Sequence, residues 1–562
     1  MHSLIPLSLL LFLPLQSYAF GVHFEVRVTH PSGNHARLSK RANATIPISN
    51  TGNAQYVANI TLGGVQLPVL LDTGSSDLWV HFPGTPPSTK DTGKATTLAY
   101  AVGKAHGDIN TAVLQFDNYT VQDQAFLMVT DTSTFTTDLS TQGFSGLLGL
   151  GPNEGSVIRD QIDSSAGDSM LTRIFSEDLT SQNYISFLLD RKGDPGDAFT
   201  GQFTISQLVP GFENITSMPK LDVKEVNLLL NANQHWQALT DKSNGLVGPD
   251  GQQITVPSLV LKAPKGQFVA VFDSGFTFSQ VPRAVSDQIY GRVKGAIYDS
   301  TNEWWTVPCG QYLNISFSFG GQIYPIHPLD TVDDNFNQFD ATGNKVCIGT
   351  FQPITSAFSM FGQYDMILGM SFLRNTYTLL DFGNWIDGSS SNQDNPYIQL
   401  ASVTSSSSAR DDFIKVRLGG VDTTSDPQWQ LLPSSQMQHS PISAAEKKKM
   451  YQEAVLSKWP YILAGCLIIV LGSVGWCVWR CCCRGKRRGS KKNKNKGMFT
   501  QEPESEAYLP LEEPHHRVGS HSSLALGQGM NSPYSMAAPP SVHHSQHPSY
   551  GSGGGGPGYR GY

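Results

Sequence analysis

The stretch Val69-Leu70-Leu71-Asp72-Thr73-Gly74-Ser75-Ser76-Asp77-Leu78-Trp79-Val80 places a carboxylate directly after an apolar β run, on a Thr-Gly turn. Turns of this kind hold a side chain in place through hydrogen bonds, and a carboxylate so held can work as an acid or a base. A second run, Val269-Ala270-Val271-Phe272-Asp273-Ser274-Gly275-Phe276-Thr277, repeats the arrangement around Asp273. Each is followed by an apolar strand ending in glycine: Gly146-Leu147-Leu148-Gly149-Leu150-Gly151 after the first, Met366-Ile367-Leu368-Gly369-Met370 after the second. The same pair of elements in the same order is an internal repeat. It predicts a duplicated lobe and a cleft shared between the copies.

The 562 residues exceed a single ordinary core, so two lobes with appendages are expected. With 54 Gly and 33 Pro against 15% charged residues, turns and short strands are favoured over long helices. The net charge of −7 is unevenly spread: Arg480 to Lys496 holds nine of the 39 basic residues and no acid, leaving 30 basic against 46 acidic residues elsewhere. An acidic body argues against nucleic acid as a partner.

Residues 1–19 read as a secretory signal peptide, with an apolar region at Leu9 to Leu15 and small residues around Ser17-Tyr18-Ala19. Five Asn-X-Ser/Thr sequons, at Asn43, Asn59, Asn118, Asn214 and Asn314, agree with export and mark candidate glycosylation sites. Of seven cysteines, only Cys309 and Cys347 fall in the body, and in an oxidising compartment they are natural disulfide partners. Residues 20–41 read as a pro-segment ending in the dibasic pair Lys40-Arg41, a processing site that makes the chain a zymogen.

Further along, Gly63-Gly64 and Asp117-Asn118 signal hairpin turns. Tyr100, followed by Gly103 and Gly107, suits a flexible hairpin able to close over a cleft. Pro282 opens a helix in which Val285, Ile289, Val293 and Ile297 share one packing face. From residue 403 to 458 the composition turns to Ser, Gln and Pro, a poorly packed stalk. Residues 459–479 are apolar and uncharged, long enough to cross a bilayer once. The basic run that follows places residues 480–562 in the cytosol and the body outside, a single-pass type I arrangement at the cell surface or in an acidic vacuole or endosome. Lys447 to Lys449, on the outer side, weigh mildly against that orientation. Cys481 to Cys483 are palmitoylation candidates at the membrane edge. The tail is low in complexity, and its His543, His544 and His547 read as solvated rather than metal-binding.

Taken together, these motifs resemble the pepsin-like aspartic peptidases, particularly the secreted fungal kind, over about Ala54 to Ser402. The resemblance implies a mainly β fold of two lobes, here 42–225 and 226–402, each contributing one catalytic aspartate, Asp72 and Asp273. By the same resemblance Thr73 and Ser274 tie the two turns together and Ser75 bonds to Asp72. Thr277 joins the supporting residues, Tyr100 is the flap residue, and Trp79 lies in the apolar walls of the substrate cleft. Two carboxylates a few ångströms apart cannot both ionise cheaply, so one proton is shared. One carboxylate then takes a proton from water while the other protonates the peptide carbonyl, with no metal or cofactor. The expectation is a monomeric endopeptidase cutting between hydrophobic residues at acidic pH. Phe276 departs from the family pattern, which usually has a hydroxyl there; it predicts one hydrogen bond fewer for Asp273, and a less acidic carboxyl. It also supports the competing reading, a catalytically silent pepsin-fold protein used for binding at the cell surface. No His-Glu-X-X-His, Gly-X-Ser-X-Gly or phosphate-loop pattern occurs, so metalloprotease, serine-hydrolase and nucleotide chemistry lack support.

Overall fold

A computed structural model describes residues 21–27, 55–100, 103–132, 135, 143–191, 200–226, 234–260, 262–340, 342–355, 363–388, 394–442, 444, 447–448, 451 and 458–480. The signal region, the pro-segment beyond Arg27, Asn43, Cys481 to Cys483 and the cytosolic tail lie outside them.

The first strand after the pro-segment, Gln55–Leu62, runs into Val65–Asp72 through a two-residue turn at Gly63 and Gly64. Both glycines have positive φ, +59° and +86°, which an L side chain rarely adopts. Val65–Asp72 then pairs in parallel with Gly146–Gly149, placing Asp72 opposite Gly149. Leu78–Val80 lies antiparallel on the other side of Gly146–Gly149. The second half repeats this unit: Val269–Phe272 is parallel to Met366–Leu368, and Ser279–Val281 is antiparallel to it. Burial explains the apolar runs, since Leu70, Leu71, Val269, Val271, Leu148 and Leu368 are all enclosed. The internal repeat read from the sequence is therefore a repeat of three-strand units, each ending in an aspartate turn.

The two halves do not separate cleanly at residue 225. Thr376–Asp381, from the second half, pairs with Tyr184–Leu189, from the first, and then with Tyr397–Ser402. Gly21–Arg27 also enters this sheet, between Thr200–Ile205 and Gln55–Leu62. Where these strands meet, Asp330 is buried between Arg374 at 2.7 Å and Arg191 at 2.8 Å. Burial opposes ionisation of that carboxyl, but the two guanidinium groups outweigh it and hold Asp330 below the usual carboxylate range.

Three expectations meet a test here. The turn at Asp117-Asn118 forms, closing Leu114 on Val121 and Phe116 on Tyr119 with Asp117 at φ +52°. Cys309 and Cys347 form the disulfide. The helix expected from Pro282 to Ile297 is shorter: it spans Arg283–Tyr290 and stops at Gly291, and Gly295 at φ +78° redirects the chain. Val285, Ile289 and Val293 are buried as expected, but Ile297 sits in the strand Ile297–Asp299 and is 56% exposed.

The stretch after Ser402 is a second correction. Instead of a poorly packed stalk, Ser406–Arg417 is a helix whose Ala409, Phe413 and Ile414 are buried, with Phe413 edge-on to Tyr312. Arg417 bonds to Asp334 at 2.5 Å and to the Val332 carbonyl at 3.0 Å. Beyond it the chain runs as a strap along the Arg283–Tyr290 helix and its turn. Leu432 N–H donates to Arg292 O at 2.8 Å, Gln438 N–H to Gly291 O at 2.8 Å, and Ser440 Oγ to Asp287 at 2.6 Å. Composition alone missed this because a few buried anchors, spaced i and i+4, suffice to fasten a polar helix. A separate unit, 444–531, contains the helix Trp459–Val478, whose Ile468, Ile469 and Leu471 are exposed.

A body ending at Ile442 should therefore fold, whereas one ending at Ser402 should melt several degrees lower. Phe413→Ala in the longer body should cost about 3–5 kcal/mol, the usual range for a large aromatic removed from a core. Thermal melts of the three proteins check this; equal melting temperatures would show the strap to be dispensable.

Candidate active site

Asp72 and Asp273 close the two equivalent strands, and the fold brings them together. Thr73 N–H donates to Ser274 Oγ at 3.1 Å and Ser274 N–H to Thr73 Oγ1 at 2.9 Å. Each hydroxyl then donates onward across the pair, Thr73 Oγ1 to Phe272 O and Ser274 Oγ to Leu71 O, both at 2.9 Å. All four residues' groups are buried, so no water competes for these bonds.

The turns carry glycine because nothing larger fits. A Cβ on Gly74 would lie 2.1 Å from Asp273 Oδ2, and one on Gly275 would lie 2.4 Å from Asp72 Oδ1. The two carboxyls are within hydrogen-bond reach of each other and nearly enclosed, at 5% and 6% exposure. Their surroundings differ. Asp72 accepts from Ser75 Oγ at 2.5 Å and Gly74 N–H at 2.9 Å. Asp273 accepts from Gly275 N–H at 2.7 Å, and no hydroxyl among the described residues takes the place of the Ser75 bond. Burial, the adjacent Asp72 charge and the bond to Asp72 raise the Asp273 carboxyl well above the usual range. Such a pair holds one proton, with one member poised to accept and the other to donate.

The remaining expected residues fall into place unevenly. Tyr100 closes the hairpin Lys90–Tyr100 with Gly103–Phe116, opposite Gly103, and its phenol lies by Trp79 and Ser75. Burial and the charges of Asp77 and Asp72 raise that phenol well above its ordinary value, so it stays neutral. Trp79 is 1% exposed, with its ring stacked 5.2 Å from Phe135 and tilted 6.5 Å from Tyr100. Thr277 is half-buried and has no hydrogen bond to either aspartate among the described residues. Sequence reading passed over Asp77, which lies within the opening motif and is buried; it accepts from Ser156 Oγ at 2.6 Å and from the Val157 and Ile158 N–H groups. Its position in a Ser-Ser-Asp triplet was the available signal. Among the described residues no cluster of ligating side chains could hold a metal ion.

Several other buried aspartates share the upward shift. Burial raises Asp77, Asp287 and Asp365, and takes Asp333 to about 6. A carboxyl raised in the folded state contributes stability that is complete below the unfolded pKa and is lost as pH rises through the folded value. For Asp333 that window lies between about pH 4 and 6. The body should therefore melt higher at pH 4.5 than at pH 7.5, and Asp333→Asn should narrow the gap. Calorimetry at the two pH values decides, and a melting temperature that rises with pH would refute it.

The described geometry agrees with what the chain is similar to. A family model described as eukaryotic aspartyl protease matches residues 55–388. Major aspartyl peptidase 1 of Cryptococcus neoformans var. grubii is 26% identical over 390 residues, covering 64% of this chain and 74% of that protein. Vacuolar protease A of Neurospora crassa is 23% identical over 381 residues, covering 64% and 82%. Among solved structures, the aspartic proteinase from Irpex lacteus aligns over 62% of this chain and 94% of its own, at 18% identity and a TM-score of 0.46. With that family model matched across more than half of its length, this chain belongs to the eukaryotic aspartyl protease family and is a hydrolase of the aspartic peptidase type.

Proposed function

We propose that Asp72 and Asp273 are the catalytic pair of an aspartic endopeptidase that works in acid and is held to a membrane by the helix Trp459–Val478. The observation that carries the reading is the buried, reciprocal bonding of Thr73 and Ser274, which sets two carboxyls side by side and leaves Asp273 as the better proton holder. In the first step water loses a proton to Asp72 as its oxygen attacks the peptide carbon, while Asp273 protonates the carbonyl oxygen. As the resulting gem-diol collapses and its C–N bond breaks, Asp72 gives its proton to the leaving nitrogen and Asp273 takes a proton back from one of the two hydroxyls, which restores the starting state. The electron flow closes without a covalent intermediate.

Substrate lies in the cleft under the Tyr100 hairpin, and the apolar packing of Trp79 and Phe135 behind it favours hydrophobic side chains at the cut. The body, residues 42–402 with its strap to 442, occupies the lumenal or extracellular side, and the segment after Arg480 faces the cytosol. Support comes from four sequon asparagines, Asn59, Asn118, Asn214 and Asn314, all of which are exposed. The disulfide agrees with an oxidising compartment. Similarity to a vacuolar protease favours an acidic vacuole over the cell surface.

The body purified to Ile442 should cleave a denatured protein at acidic pH and be blocked by pepstatin. Asp72→Asn and Asp273→Asn should each lower kcat at least about a thousandfold, as expected when a unit that acts together loses a member. Cleavage that survives both substitutions would end the assignment. No cleavage by the processed wild-type body would favour the silent binding protein instead.

A further inference from the structure

His235 stands beside the paired aspartates and has no part in the scheme above. Its position is set by its neighbour. Trp236 is fully buried; its indole N–H donates to Leu150 O at 3.1 Å, and its carbonyl accepts from Phe272 N–H at 2.8 Å. Phe272 directly precedes Asp273, so the backbone at 235–236 is tied to the strand that delivers that carboxyl.

The imidazole Nδ1 lies 3.1 Å from the carbonyl oxygen of Gly74. A carbonyl can only accept, so Nδ1 carries the proton in this contact. Gly74 is the residue whose N–H donates to Asp72 and whose Cα lies against Asp273. The ring of His235 thus grips a residue that touches both carboxyls. Its edge meets the Tyr364 ring at 5.9 Å and 82°. Tyr364 and Phe276 together pack against Val271 and Ile367. The histidine is half-buried, and among the described residues Nε2 has no hydrogen-bond partner.

We propose that His235 is a positioning residue of the peptidase centre, holding the Gly74 carbonyl through Nδ1–H and adding, in acid, a positive charge beside Asp72. The proposal rests on the reading of Asp72 and Asp273 as the catalytic pair. The groups that face the ring are Asp72, whose charge reaches it from the first turn, and the ring of Tyr364. Lys224 and Glu225 lie on the segment that Gln234 and Gln237 bond to. Burial pushes the imidazole below the usual histidine range, while the Gly74 carbonyl and the Asp72 charge draw it back. It therefore becomes charged only in acid, where the dyad keeps a single negative charge. A cation there favours the ionised dyad, so it lowers the pH at which the pair takes up its second proton.

The test uses the full chain in detergent, with kcat and KM for one peptide substrate measured across pH. His235→Gln keeps an amide donor for Gly74 and loses the charge. Its maximal kcat should stay within about threefold of wild type, while the acid limb of the profile moves upward by roughly half a pH unit and the alkaline limb stays where it is. His235→Phe loses donor and charge, and its kcat should fall about tenfold with KM little changed, the usual effect of one lost hydrogen bond in a fixed geometry. A Gln variant whose profile superimposes on wild type overturns the proposal, as does an equal loss of activity at every pH in both variants. If the Phe variant does not fold, the Gln profile alone decides. Activity that survives Asp72→Asn in the same preparation would remove the catalytic pair, and this proposal with it, whereas an inactive Asp72→Asn beside an unmoved Gln profile removes only the role of His235.

Discussion

Two carboxyls that repel each other are kept in one small space by four buried hydrogen bonds between Thr73, Ser274 and the strands behind them. The magnitudes are comparable. Buried bonds of this kind contribute about 1 kcal/mol each. Two full charges about 4 Å apart at an effective dielectric of about 20 repel by about 4 kcal/mol. The arrangement is therefore secure while the pair retains a proton and strained once both members are charged. Proton retention and geometry therefore support one another.

Around this constraint the architecture is built twice. Each half supplies a parallel strand pair with a short antiparallel third strand, and each ends its aspartate strand on a glycine turn. Symmetry breaks at the carboxyls themselves. Ser75 gives Asp72 a hydroxyl bond, whereas Phe276 occupies a corresponding place after Asp273 and gives none. That difference accompanies the raised Asp273 carboxyl, and the proposed division of roles draws on it. In the proposed mechanism, Phe276 in that place is compatible with activity, because it leaves both carboxyls in position. Outside the repeat, the Arg191–Asp330–Arg374 cluster and the strand pairing of residues 376–381 with 184–189 join the halves into one body. Removing either arginine would leave a buried charge short of a partner, which is far costlier than losing an exposed ion pair.

The strap of residues 427–440 extends the folded body beyond the segment that matches the family model. Its last bond to the body, from Ser440 to Asp287, lies two residues before Ile442.

Much of this was written into residue order because it depends on local chemistry. Asp-Thr-Gly and Asp-Ser-Gly turns need those side chains wherever they occur, hairpin turns need Gly or Asp-Asn, and a twenty-residue apolar run looks the same in any context. Other features arise from residues distant in sequence. His235 matters only because Trp236 is anchored on Leu150 and Phe272, 86 and 36 residues away. Ile297 left its predicted helix because glycines at 291 and 295 turned the chain before periodicity could continue. Phe413 and Ser440 fasten a segment whose composition reads as a loose linker, since their partners Tyr312 and Asp287 lie a hundred or more residues earlier. Periodicity and composition report on neighbours along the chain, and burial is settled by neighbours in space.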